Sequence, residues 1–179
     1  MRREPGLIKR ILFATDLSFR ARHVEEHVAL FSQAYEAAVD VVHVLELYPG
    51  VYVAVQDHSE TDGLLAEVVE RLRAPGVSVT AHQETGIPSR QICEFAVEHH
   101  ADLIMLGTHG RTGLDHILLG STAEQVLTMA PCPVFTVRAP KGPDARYNNA
   151  PVVLEQVIVP VDFSDCSLDA LEYGTQLAK

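Results

Sequence analysis

The chain has 179 residues, nearly half of them apolar, enough to bury one core of ordinary domain size and not comfortably two. Fourteen Lys and Arg stand against 24 Asp and Glu, a formal charge of -10, which argues against nucleic acid or an anionic membrane as a partner. The three cysteines, Cys93, Cys132 and Cys166, form no Cys-x-x-Cys pair, and no apolar run reaches the roughly 18 residues of a membrane span. These features point to a reducing cytoplasm, with no disulfide framework, zinc knuckle, membrane segment or secretion signal.

Ile11 to Thr15 follows Lys9-Arg10 as a short apolar run, the pattern of a parallel strand buried on both faces, and it ends at Asp16-Leu17-Ser18. Val24, Val28, Phe31 and Tyr35 then recur at helical spacing, with Arg22, Glu25, Glu26 and Gln33 elsewhere on the wheel. Val39 to Leu45 reads as a second buried strand. The stretch from Glu46 to Asp62, with Pro49 and Gly50, reads as irregular and is expected to move when no ligand is present. Leu65, Val68, Val69 and Leu72 mark a second helix closed by Pro75-Gly76. Val77, Val79 and Ala81 alternate with polar residues, which suits a strand nearer a sheet edge. Gly86-Ile87-Pro88-Ser89 turns the chain into a third helix carrying Ile92, Phe95, Ala96 and His99, and Leu103 to Leu106 is a fourth strand.

A glycine-rich loop comes next, with Gly107, Gly110 and Gly113, and it closes on Gly120-Ser121-Thr122-Ala123-Glu124. Ser121 and Glu124 have the spacing of a capping box before the apolar Val126 and Leu127. Strand, glycine loop and helix start suit phosphate binding, because glycines let backbone N–H groups approach an anion and a helix N-terminus adds unpaired donors. The bland alternative is a turn whose glycines serve only the backbone. There is no Gly-x4-Gly-Lys-Ser/Thr, and Arg111 is the loop's cation, as a phosphate contact or as a surface arginine. Pro133 to Val137 reads as a fifth strand.

Strands alternating with helices predict an α/β fold, an open, doubly wound parallel sheet covered on both faces. Ligands of such sheets sit beyond the carboxyl ends of the strands where strand order reverses. Asp16 and the Gly107 loop both follow strands directly, so both belong to that end. Asp16 is suited to accept hydrogen bonds from a ribose or base, to bind a divalent ion, or simply to cap the first helix, as Ser18 also can.

Residues 139–153 read as a linker, rich in Pro, Gly and Asn. The segment after the linker repeats the start of the chain: Val157-Ile158-Val159-Pro160-Val161-Asp162-Phe163-Ser164 matches Ile11 to Ser18, and Ala170, Gly174 and Leu177 take the places of Val24, Val28 and Phe31. Residues 1–138 are therefore read as one complete domain, and 154–179 as the first strand and helix of a truncated second copy. One strand and one helix cannot bury a core alone, so this unit is expected to pack on the first domain, to pair with a partner chain, or to stay poorly ordered.

The spacing Gly107-x2-Gly110-x9-Gly120-Ser121 resembles the nucleotide signature of the universal stress protein family, in its ATP-binding branch. Asp16 after the first strand, Val42-His43-Val44, Gly86-x-Pro88, Ala101 to Ile104 and Ala130 to Val134 extend the resemblance over residues 7 to 138. The resemblance implies a Rossmann-like, adenine nucleotide alpha hydrolase-like sheet of order 3-2-1-4-5. It also implies that Ala14, Thr15, Asp16 and Val44 line the adenine and ribose side, and that Gly107, Gly110, Gly120, Ser121 and Thr122 hold ribose and phosphates. The ligand implied is ATP or AMP, with Mg²⁺ or Mn²⁺ as a possible companion of the phosphates. Ala14 departs from a position where many members carry proline, as Pro160 does in the second copy. A homodimer formed through the fifth strand is implied as well.

Three functions compete on these residues. The first is a cytoplasmic stress-response protein in which bound nucleotide sets shape or partner choice. A slow Mg²⁺- or Mn²⁺-dependent ATP hydrolase or transferase is the second, disfavoured because the loop offers no lysine and no evident general base. The third is a dimeric interaction module without nucleotide, disfavoured by the intact glycine signature. The nine histidines, including His99-His100, His109 and His116, lack ligand spacing and are read as surface or packing residues.

Overall fold

The computed structural model describes residues 8–46, 59–74, 76–108, 119–139 and 152–178. Five parallel strands, β1 (Arg10–Ala14), β2 (Ala38–Glu46), β3 (Val79–Gly86), β4 (Leu103–Gly107) and β5 (Val134–Val137), form one sheet of order β3-β2-β1-β4-β5. The helices are α1 (Arg22–Tyr35), α2 (Ser59–Leu72), α3 (Pro88–Glu98), α4 (Ser121–Met129) and α5 (Asp165–Leu177). This is the doubly wound order expected of the chain. Among the described residues, no helix is long and apolar enough to cross a membrane.

The central strand has no polar side to show, because both faces of the sheet are covered. Ile11 and Phe13 join Val24, Val28 and Phe31 of α1 and Leu65, Val68 and Leu72 of α2 in one apolar layer. Leu12 and Ala14 point the other way, into a layer with Ile92, Phe95 and Ala96 of α3 and Ala123 and Val126 of α4. Ile11, Leu12 and Phe13 are wholly buried, each side chain stabilising the fold by about 1.5–3 kcal/mol. The period of two thus splits one apolar run between two helical layers.

Polar groups fix the register from the amino end. The Asp102 carboxylate accepts the backbone N–H groups of Lys9 and Arg10 at 2.9 and 3.0 Å, joining the starts of β1 and β4. Asp40, buried in β2, accepts Arg10 from β1 at 2.8 Å and pairs with His82 of β3 at 3.0 Å. Three neighbouring strands are thereby tied through one carboxylate, whose burial is tolerable because both its oxygens are paired.

Element boundaries differ from the periodicity at several ends, those of β2, α2 and β3 among them. β2 runs through Glu46 and α2 already starts at Ser59, with Glu60 and Asp62 in a first turn that favours acidic residues. The expectation of a moving connection falls on 47–58, outside the described residues. β3 starts at Val79 rather than Val77, because Gly76, at φ +83°, and a bond from Val77 N–H to the Ala74 carbonyl keep the chain in a turn. It is an edge strand, as its alternation suggests. The turn into α3 needs Gly86, whose φ of +146° suits only glycine, and Pro88 then opens the helix without losing a required donor.

Beyond residue 151 the structure describes residues 152–178. α5 forms, but the residues matching β1 join no sheet among the described residues. Leu177 of α5 packs against the α1-side core, and the hydroxyl of half-buried Tyr173 has no hydrogen-bond partner among the described residues. Burial, with Tyr35, Cys132 and Asp102 nearby, pushes Tyr173 up to about 12. A phenol raised in the folded state contributes its full stability below about pH 10 and loses it as pH climbs toward about 12. In an alkaline absorbance titration, one of the five tyrosines is expected to ionise late, and Tyr173→Phe to remove that late component. An unchanged late component would place the perturbed phenol elsewhere.

Candidate functional site

β1 and β4 are parallel neighbours paired through Ala14 and Leu106, so Thr15 and Gly107 leave the sheet side by side. Here strand order reverses, since the chain goes from β1 outward to β2 and β3 and returns beyond β1 to β4 and β5.

On the β1 side, two consecutive side-chain turns shape the exit. Thr15 Oγ1 accepts Leu17 N–H at 3.1 Å, and Asp16 Oδ1 accepts Ser18 N–H at 3.0 Å. Between them Leu17 sits at φ +61°, the left-handed region that a β-carbon disfavours, so the turn stores strain. Ser18 takes the cap of the following 3-10 turn (Phe19–Ala21) through its carbonyl, while its buried hydroxyl has no hydrogen-bond partner among the described residues. The cap thus belongs to Ser18, and Asp16 fixes the corner before it.

On the β4 side, Thr108 N–H reaches the Val137 carbonyl at 2.9 Å, extending the ladder to β5. Gly120 N–H then donates to the Thr108 carbonyl at 2.7 Å, pinning the two ends of the glycine loop together. Gly110 and Arg111 lie outside the described residues. Gly120 is the N-cap of α4, extended at φ −71° and ψ 153°, with its carbonyl accepting Glu124 N–H at 2.9 Å. That corrects the capping box: Ser121 is the first helical residue, and no side chain caps α4. The first-turn amides of α4 therefore open at the carboxyl end of the sheet, beside Thr108.

The wall beneath is apolar. Ala14 and Val44 are each 9% exposed and share one cluster with Leu106 and Ala123. Of the residues predicted from sequence, Ala14, Thr15, Asp16, Val44, Gly107, Gly120, Ser121 and Thr122 thus gather at one end of three adjacent strands and one helix.

Two further residues shape this end of the sheet. His43, 6% exposed on β2, holds the Thr15 carbonyl at 2.8 Å from Nδ1. A carbonyl only accepts, so Nδ1 carries the proton and Nε2 is left as the acceptor in the neutral ring. Thr108, 8% exposed, joins β5 to Gly120 through its own backbone. The signal for His43 is a polar ring inside the otherwise apolar Val41-Val42-His43-Val44; the two backbone bonds of Thr108, to Val137 and Gly120, leave no such mark in the sequence. Among the described residues no group of three or more His, Cys, Asp or Glu is placed to hold a metal ion. His99 instead stacks on Phe95 at 3.8 Å between ring centres.

The sequence model of the universal stress protein family matches residues 7–138. Universal stress protein MJ0531 of Methanocaldococcus jannaschii is 33% identical over 150 residues, covering 79% of this chain and 88% of its own. The solved structure of MJ0577 from the same organism superposes with a TM-score of 0.68 at 28% identity, over 76% of this chain and 99% of that one. A universal stress protein from Archaeoglobus fulgidus, solved in complex with dAMP, gives a TM-score of 0.58 at 28% identity, over 73% and 98% of the two chains.

Proposed function

The chain belongs to the universal stress protein family, and on that premise we propose that it is a cytoplasmic stress-response protein binding ATP or AMP as a regulatory ligand. The observation that carries this reading is the junction of the Gly120 N–H with the Thr108 carbonyl at 2.7 Å. It ties the start of α4, which no side chain caps, to the end of β4, the neighbour of β1, and so supports first-turn amides and the apolar Ala14 and Val44 serving one ligand. The dAMP bound by the Archaeoglobus fulgidus relative supports an adenine nucleotide as the ligand.

In this reading Ala14 and Val44 flank the base, while Thr15 and Asp16 face the ribose or a divalent ion on the phosphates. Gly107, Gly110, Gly120, Ser121 and Thr122 offer main-chain and hydroxyl donors to ribose and phosphates, and Arg111 a charge. Mg²⁺ or Mn²⁺ would accompany ATP through the phosphates. Nucleotide occupancy, rather than turnover, sets the partner choice. The half-buried edge strand β5, with Val134 and Phe135, is the surface through which two copies join.

The experiment is mass spectrometry of the small molecules released on denaturing the purified protein, followed by calorimetric titration of ATP and AMP, with Mg²⁺, into stripped protein. Adenine nucleotide in the first and one site per chain in the second are expected. A protein that releases nothing and titrates with neither nucleotide would be an interaction module without a ligand.

A further inference from the structure

Thr15, where β1 leaves the sheet, is held from β2 through both its main-chain polar groups. Its N–H donates to the Val42 carbonyl at 2.9 Å, and its carbonyl accepts Nδ1–H of His43 at 2.8 Å. The corner that follows hangs on this residue. Thr15 Oγ1 accepts Leu17 N–H at 3.1 Å, Asp16 Oδ1 accepts Ser18 N–H at 3.0 Å, and Leu17 between them lies at φ +61°. A left-handed residue other than glycine persists only where its surroundings over-determine it. The imidazole is a side chain of the neighbouring strand brought to that task.

The two faces of β2 divide the work. Val39 and Val41 belong to the layer shared with α1 and α2, and Val42 and Val44 to the layer shared with α3 and α4. With a period of two, His43 stands on the α1–α2 face beyond Val41, behind the wall that Ala14 and Val44 form on the other. It is buried there. Burying a ring with two polar nitrogens costs free energy that a leucine at this place would not, and the bond to Thr15 offsets that cost where β1 leaves the sheet. A residue behind the wall acts on a ligand only through the backbone it holds.

On the adenine-nucleotide reading above, we infer that His43 is a positioning residue for the ligand: from the rear face of the sheet its imidazole fixes the Thr15 carbonyl and so sets the strained corner that presents Asp16. The chain of contacts runs from His43 Nδ1–H to the Thr15 carbonyl, through that peptide to Asp16, and from the Asp16 carboxylate to Ser18 N–H. Loss of the first link frees the Thr15–Asp16 peptide to rotate, and Leu17 relaxes from φ +61° toward unstrained backbone. Asp16 then meets a ribose in many orientations rather than one, and the ordering this requires weakens binding.

The test measures amide hydrogen exchange of Leu17 and Ser18 without ligand, and calorimetric binding of AMP, in the wild-type chain and in His43→Asn, His43→Gln and His43→Phe. Asparagine carries its donor nitrogen on Cγ, as the imidazole carries Nδ1, whereas glutamine sets its donor one bond farther out. His43→Asn is expected to protect both amides as the wild type does and to bind AMP within about threefold of it. His43→Gln and His43→Phe are expected to exchange both amides about tenfold faster and to bind AMP about tenfold more weakly. The amides of Ile104 to Leu106 in β4 should stay protected throughout and report an intact sheet. The asparagine and glutamine variants decide the matter even if His43→Phe does not fold. Equal exchange and equal affinity in all four proteins would overturn the inference. So would equal losses in His43→Asn and His43→Gln, which mark a packing role, or fast exchange with AMP binding unchanged, which marks a corner the ligand ignores. A wild-type chain that binds no AMP removes the nucleotide reading and the ligand half of the inference with it, and the exchange of Leu17 and Ser18 then decides the structural half alone.

Discussion

Gly120→Val is expected to raise the dissociation constant for ATP about 100-fold or more in calorimetric titration, while lowering the melting temperature by only a few degrees. The variant keeps an extended backbone that valine adopts easily, since Gly120 sits at φ −71° and ψ 153°. Its N–H bond to Thr108 and its carbonyl bond to Glu124 are main-chain contacts that survive the change. Stability falls only by the difference between a tolerated and a poor cap, about 1 kcal/mol. The ligand loses far more, because a branched side chain is now set next to the first-turn amides of Ser121, Thr122 and Ala123, which have no intrahelical acceptor. Each charge-assisted hydrogen bond contributes about 1.5–3 kcal/mol, so losing two costs about 3–6 kcal/mol, or two to four powers of ten in affinity. An unchanged titration would make the glycine loop structural and leave the dimeric interaction module as the better reading.

That prediction rests on a residue whose role the sequence placed one position off. Gly, Ser and Asn all favour an N-cap, so Gly120-Ser121 offered two candidates, and the capping-box spacing selected the wrong one. The choice was decided by a long-range bond, Gly120 to Thr108, that no local pattern records. By contrast the strands were legible because each buried run is continuous and each helix has one apolar stripe. Ile11 to Phe13 needed nothing beyond their own hydrophobicity to be read as a strand buried on both faces; its central place came from the order that the resemblance implies.

Pairings between distant residues stayed out of reach for the same reason. Asp40 interrupts an apolar strand, and nothing in its neighbours announces Arg10 and His82 as its partners. His43 announces a polar need inside β2 but not the Thr15 carbonyl that meets it. The sequence match of Val157 to Ser164 with Ile11 to Ser18 extends to the corner, where Ser164 N–H meets Asp162 Oδ1 as Ser18 N–H meets Asp16 Oδ1.

The largest stability effect outside the core is expected at Arg71. This side chain on α2 grips Glu25 of α1 with two bonds, Nε to Oε2 at 2.7 Å and a terminal nitrogen to Oε1 at 3.0 Å. The hydrogen bond to Glu25 is the main cause of its raised pKa. The partners are not equally buried: the Glu25 side chain is 7% exposed and that of Arg71 35%. Arg71→Ala therefore strands a carboxylate in the interior, at a cost of about 3 kcal/mol, the lower end for a broken buried pair because water reaches the arginine's site. Glu25→Ala leaves a guanidinium that solvent and Glu67, at 3.5 Å, still satisfy, and should cost about 1 kcal/mol. Removing both, as Glu25→Leu with Arg71→Met, should cost less than Arg71→Ala alone, because no charge is left unpaired. Urea unfolding of the four proteins measures the ordering directly. Equal losses for the two alanine variants would mean that α2 is held by Leu65, Val68 and Leu72 alone and that the ion pair is incidental to it.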